Sequence, residues 1–313
     1  MTPAARAQWQ IHLCVLLWGF TAILGKLITL PALPLVWWRM LLVAGTLMLL
    51  PRVWHGLRAL PVRLLLAYAG VGALVALHWL TFYGAVKLAN ASVAATCMAL
   101  ATVFVALIEP LVARSRFSWR ELLLGLAVLP GVALVVGGVP AGMRAGIAVG
   151  ALSALFVACF GAMNKRLVER ADPLTVTALE LGAGTLTLTA LAPLMPLLFP
   201  ALAGSLLTLP SAQDGAWLLL LAFACTLLPF ALSLVALRHM SAFAAQLAVN
   251  LEPVYAIALA IVLLGEQREL SPGFYAGVAI ILAAVLVYPV LARPRRIVHA
   301  ENIGTGEAKS ITR

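Results

Sequence analysis

Residues 215–237, GAWLLLLAFACTLLPFALSLVAL, and 242–264, AFAAQLAVNLEPVYAIALAIVLL, are two apolar runs separated only by Arg238-His239-Met240-Ser241. Crossing a bilayer's hydrocarbon core takes about 20 helical residues, and an apolar run of that length with few charges marks a transmembrane helix. Neither run alternates polar and apolar positions as a barrel strand does, so each is read as a helix that satisfies its own backbone groups. Together they form a membrane hairpin whose only charged residue inside the runs is Glu252.

Outward from this hairpin the pattern repeats. Breaks at proline, glycine and charged clusters give candidate spans at 11–28, 34–50, 64–86, 91–113, 121–139, 146–164, 174–199, 215–237, 242–264 and 272–292. The expectation is an all-α polytopic membrane protein of ten transmembrane helices. Composition agrees, with 64% hydrophobic and 10% charged residues and a mean hydropathy of +1.07, far from a soluble domain. Little chain is left for a soluble catalytic module, so a membrane enzyme or scaffold is a remote alternative. The five histidines are scattered without metal-ligand spacing, so neither a metal nor any other cofactor is expected. Residues 304–310 resemble a phosphate loop only loosely, because Ala308 stands where glycine is needed before Lys309. Cys14, Cys97, Cys159 and Cys225 all fall in apolar runs and read as packing residues.

The formal net charge of +10 does not point to nucleic acid, because the cations sit in the short breaks and the tail. With a cytoplasmic N-terminus, sixteen of the 21 Lys and Arg fall in inner loops or the tail. Three (Lys87, Arg144, Arg268) fall in outer loops, and Lys26 and Arg39 lie in spans. This bias predicts an even number of crossings in a bacterial-type inner membrane, both termini cytoplasmic, and a disordered cytoplasmic tail over 293–313.

The chain also carries a weak internal duplication. Ala44-Gly45-Thr46-Leu47 recurs as Ala183-Gly184-Thr185-Leu186, and Pro34 as Pro173, at an offset of 139; Ala85, Ala91 and Ala94 recur as Ala236, Ala242 and Ala245 at 151. Two five-helix halves, 1–140 and 141–292, must then lie inverted in the membrane. The charges fit: the loop with Arg114, Arg116, Arg120 and Glu121 is basic, while its mate with Glu266, Arg268 and Glu269 is acidic.

These features resemble the EamA-type members of the drug/metabolite transporter superfamily over roughly residues 10–292. The motifs carrying the resemblance are Leu17-Trp18-Gly19 with Lys26, Arg39, and Leu251-Glu252-Pro253-Val254 followed by Gly265-Glu266. One departure is that Ala101-Thr102 occupies the place of Glu252-Pro253 in the first half, with an offset Glu109-Pro110. The resemblance implies a secondary-active or facilitative carrier, lined by the first, third, fourth, sixth, eighth and ninth spans. It further implies export of small metabolites such as amino acids by alternating access. The rival is a same-fold importer or exchanger of nucleotide-like or phosphorylated solutes. That reading needs cations facing a midplane cavity, whereas Lys26 and Arg39 are expected near outer helix ends.

An ionisable group at a helix centre costs about 2.5–3.5 kcal/mol on insertion scales, so each one inside a span is a pairing or functional candidate. Lys26, Arg39, Glu109 and Glu180 are expected near helix ends, where snorkelling or ion pairs lower that cost. Glu252 lies mid-span and is expected to brace the kink at Pro253. Gln246 and Asn250, spaced i, i+4, should share a face and look into the cavity, with Glu252 pointing elsewhere. The run His78-Trp79-Leu80-Thr81-Phe82-Tyr83 supplies aromatic rings with polar tips suited to an amphipathic solute. The cavity candidates are therefore Trp18, Thr21, His78, Trp79, Tyr83, Asn164, Gln246 and Asn250. The gating or ion-pair candidates are Lys26, Arg39, Glu180, Glu252, Pro229 and Pro253, with Pro110 and Pro130 as further hinges. Expected partners are a small solute and the lipid bilayer, with His78 and Glu252 as the candidates for a proton; the sequence leaves the oligomeric state open, a monomer being compatible with it.

Overall fold

The computed structural model describes residues 2–112 and 114–291, and the side chains only as far as residue 284. The tail at 293–313 and the loop resembling a phosphate site lie outside the described residues. The fold is a helical bundle of α1 (Pro3–Leu27), α2 (Ala32–Met48), α3 (Val62–Leu88), α4 (Ala91–Val112), α5 (Trp119–Gly137), α6 (Arg144–Leu167), α7 (Pro173–Leu191), α8 (Ala212–Leu237), α9 (Ala242–Leu264) and α10 (Pro272–Leu291).

Among the described residues, eight of these are long and apolar enough to cross a membrane. The expected count of ten is therefore not reached by length and hydropathy alone. α2 stops after 17 residues and the chain turns through 91° into a short helix, Pro51–Ala59. Pro51 forces the turn because its ring fixes φ and disfavours helical backbone at Leu50. α10 runs over 20 residues, Pro272–Leu291, and its side chains are described only as far as Ala284.

Hydrogen bonds at the two ends of the bundle fix the topology. Lys87, at the end of α3, donates to the Ile28 carbonyl just past α1. Thr29 donates to Asp214 at the start of α8 through its N–H (2.8 Å) and its hydroxyl (2.6 Å). At the opposite end, Arg238, just past α8, donates to the Val168 carbonyl just past α6 (3.2 Å). Arg238 lies 151 residues after Lys87, and Val168 lies 140 after Ile28, so one contact is made twice at opposite ends. That is the signature of inverted halves. Asn90 and Ser241, again 151 apart, cap α4 and α9 by accepting from the N–H groups of Val93 (2.9 Å) and Ala244 (3.0 Å).

The halves meet through matched helices: α2 packs on α7, α4 on α9 and α5 on α10. At the α5–α10 crossing a side chain on Gly131 would overlap the Gly277 carbonyl, and one on Gly277 the Gly131 carbonyl. Small residues let transmembrane backbones approach this closely.

Several helices are irregular at membrane depth. α4 passes through a 3₁₀ turn at Met98–Leu100, α8 through a π-helical turn at Phe223–Leu227, and α9 breaks at Asn250–Leu251. Pro229 and Pro253 sit beside two of these irregularities. The break in α4 has no proline, whereas Pro110, expected as a hinge, lies inside its last helical stretch.

Candidate functional site

A cavity of about 120 Å³ lies on the axis between the halves, reaching from mid-bundle toward the end marked by Ser241. One water needs about 10–15 Å³ of such space, so the cavity has room for several waters or a small solute. Its wall is mostly aromatic and aliphatic, with Trp18, Trp79, Phe82, Phe160 and Phe230, and its polar groups are few. Among the sequence candidates, Trp18, Thr21, His78, Trp79, Asn164, Gln246, Arg39 and Glu252 line it. Phe160 and Phe230 carried no polar or charge signal that would have singled them out.

Arg39 departs from expectation. It is the eighth of the 17 residues of α2 and is 1% exposed, so it does not snorkel to an outer end. Its Cζ stacks 3.9 Å from the centre of the Trp79 ring. Nε donates to Thr226 Oγ1 (2.5 Å), Nη1 to the Tyr83 hydroxyl (2.8 Å) and Nη2 to the Cys225 carbonyl (3.3 Å). The last bond follows from sequence. Pro229 has no N–H to return to the carbonyl four residues back, which leaves Cys225 O free for the guanidinium. Tyr83 thus stands behind Arg39 as its hydrogen-bond partner and is not part of the cavity wall.

Asn250 and Glu252 exchange their expected roles. Asn250 is fully buried and its Nδ2 donates to Thr102 Oγ1 (2.5 Å), away from the cavity. Glu252 is 6% exposed and faces the cavity, as Gln246 does. The two-residue break accounts for Glu252, whereas Asn250, one regular turn after Gln246, is drawn aside by Thr102. Leu251 N–H bonds to Ala248 O (3.0 Å) and Val254 N–H to Leu251 O (3.1 Å). These i→i−3 bonds tighten the turn, so counting 100° per residue through it fails. Among the described residues Glu252 has neither a hydrogen bond nor an ion pair, so it does not brace the kink by such contacts.

The remaining candidates are placed as follows. His78 Nδ1 lies 3.0 Å from the Ser153 carbonyl and 2.8 Å from its hydroxyl, which donates to the His78 carbonyl (2.8 Å), clasping α3 to α6. Glu180 is fully buried mid-helix, not near an end, and accepts from Asn164 Nδ2 (3.3 Å). Lys26 is exposed at the end of α1 with no ion-pair partner among the described residues.

Sequence reasoning placed Glu109 near a helix end and Glu266 in the motif after the ninth span, but missed that the two form a reciprocal pair at the ends of the cavity helices. Glu109, near the end of α4, accepts from the first N–H groups of α9, those of Ala242 (3.0 Å) and Phe243 (2.7 Å). Glu266, just past α9, accepts from the first N–H groups of α4, those of Ala91 and Ser92 (both 3.0 Å), and from the Ser92 hydroxyl (2.7 Å). Leading N–H groups have no intrahelical partner and the helix dipole favours an anion there. The sequence signal was available: both residues follow long apolar runs, and both target helices open on a capping Asn or Ser.

A multi-pass helical protein of two inverted repeats, enclosing a mixed aromatic and polar cavity between them, has the anatomy of a membrane solute carrier. The chain belongs to the EamA-like transporter family, which matches residues 7–137 and 144–290. It is therefore a membrane transporter. No curated protein matches it. A solved structure described as "Crystal structure of protein" superposes with a TM-score of 0.65 over 92% of this chain and 98% of that one. At 17% identity it supports the fold alone.

Proposed function

We propose that the protein is a secondary-active or facilitative carrier of a bacterial-type inner membrane that exports small metabolites such as amino acids by alternating access. The observation that carries this reading is the seat of the cavity between the halves, on helices that are tied across the bundle at both ends. In this reading the Asn90 end faces outward. There Glu266 holds the start of α4 and Asp214 holds Thr29. At the Ser241 end, taken as cytoplasmic, Glu109 holds the start of α9 and Arg238 holds Val168. Releasing one set while keeping the other opens the cavity to one side, and the irregular turns of α4, α8 and α9 give the helices places to bend.

The position of Arg39 bears on the rival reading, since a phosphorylated or nucleotide-like solute needs a cavity cation. Glu252 on the same wall opposes it, because it already offsets the charge of Arg39 and repels a second anion in a low-dielectric site. The test is efflux of a panel of amino acids, amines and phosphorylated solutes from proteoliposomes. Amino-acid efflux above that of protein-free liposomes supports the proposal. Efflux of phosphorylated solutes alone favours the rival, and no protein-dependent flux of any solute contradicts both.

A further inference from the structure

Glu252 is a carboxylate more than nine-tenths buried, aimed into the cavity, near enough to Arg39 to interact with its charge but with no hydrogen bond or contact ion pair among the described residues. A buried carboxylate whose oxygens accept no hydrogen bond is costly, and a site that retains one has room for a donor. Its surroundings suit a cation with several N–H donors. Pro253 withholds the N–H that would engage the Val249 carbonyl, and Val249 lies on the cavity wall. Gln246, one turn back on the same wall, has a side-chain nitrogen without a partner, so its amide is free to turn. Arg39 is the opposite pole. Each of its three nitrogens makes one bond inside the protein, which leaves two of its five N–H groups uncommitted, one on each terminal nitrogen.

We propose that Glu252 and Arg39 are the two poles of a zwitterion site, Glu252 taking the solute's protonated amine and Arg39 its carboxylate, with an apolar body against the aromatic wall. The inference rests on the transport reading but concerns recognition. The formal charges decide the class. Arg39 and Glu252 sum to zero, and a zwitterion keeps the sum at zero. A simple amine or a simple anion leaves a net charge in a low-dielectric chamber, where imbalance is expensive. The rings of Trp18, Phe160 and Phe230 favour a hydrophobic side chain over a polar one.

The experiment is ligand binding to the purified full-length protein in nanodiscs. The ligands are leucine, phenylalanine and methionine, their amides (cations) and their N-acetyl derivatives (anions). At least one parent zwitterion should bind at least tenfold more tightly than its amide and its N-acetyl derivative. In Glu252→Gln its affinity should fall at least tenfold while the N-acetyl derivative changes less than threefold; Glu252→Asp should keep the wild-type order and serves as the folding control. The proposal is overturned if no parent binds, if an amide or N-acetyl derivative binds as tightly as its parent, or if Glu252→Gln weakens all three forms alike. Binding with this pattern but no efflux of the bound solute would sink the transport reading and leave the site standing. Efflux of solutes lacking the charge pair, without zwitterion binding, would do the reverse.

Discussion

Glu109 and Glu266 hold each other's helices. Each carboxylate ends or follows the helix whose opening N–H groups the other one accepts, Glu109 for α9 and Glu266 for α4. The two contacts lie at opposite ends of one antiparallel helix pair, so loosening either favours the conformation that opens that end.

Single neutralisations should therefore act in opposite directions. Hydrogen bonds to a charged group are worth about 1.5–3 kcal/mol each, and 1.4 kcal/mol is about tenfold in an equilibrium. In a background without the four native cysteines, a cysteine at cavity residue 233 reports access from each side. Glu109→Gln should speed its labelling from the Ser241 side about tenfold, Glu266→Gln should slow it, and the double variant should return toward the parent. A shift in the same direction in both single variants would reduce these contacts to ordinary stabilising caps.

Helix approach should be sensitive at the α5–α10 crossing and tolerant elsewhere. Gly131→Ala and Gly277→Ala each place a methyl group against backbone of the facing helix. Overpacking of this kind costs about 1–3 kcal/mol. Gly45→Ala meets nothing nearby and should leave Tm unchanged. Thermal unfolding in detergent separates the cases; equal Tm values for Gly45→Ala and Gly131→Ala would contradict the close crossing.

Much of this was readable from the residues and some was not, for identifiable reasons. The apolar runs and their charged breaks are long-range averages, so they survive local irregularity. The offset of 151 recurs between Lys87 and Arg238, and the 140 residues from Ile28 to Val168 lie one away from the offset of 139. Side-chain direction did not survive: the two-residue break resets the helical phase ahead of Glu252, and Thr102 draws Asn250 away from the cavity that Gln246 faces. Arg39 was misplaced in depth because α2 runs from Ala32 to Met48, two residues earlier at each end than the hydropathy pattern suggested. Glu109 and Glu266 act at the termini of helices distant in sequence, a relation that no local window contains.

Pro229 should matter to transport more than to folding. Pro229→Ala restores an N–H that competes with Arg39 for the Cys225 carbonyl, and proline disfavours a helix interior by about 3 kcal/mol relative to alanine. Tm should stay level or rise while efflux falls at least several-fold. A lower Tm with proportionate loss of activity would mean that the irregular turn serves stability alone.

His78 and Glu252 were both proton candidates, and their surroundings separate them. His78 is engaged by Ser153 and wedged against Phe160, a contact that clasps α3 to α6. His78→Ala should lower stability by about 1 kcal/mol, as expected for one lost hydrogen bond, and Ser153→Ala should add little further in a double-mutant cycle. The pH-gradient dependence of efflux, whatever its wild-type size, should be unchanged in His78→Ala. Its loss in that variant would make His78 a proton carrier.

The central claim is that one chamber between two inverted halves is exposed to the two sides of the membrane in turn. Counterflow in proteoliposomes tests it most directly. Unlabelled amino acid inside should accelerate entry of the labelled amino acid, with saturation on both sides. Linear, unsaturable entry that is indifferent to solute on the far side would contradict it.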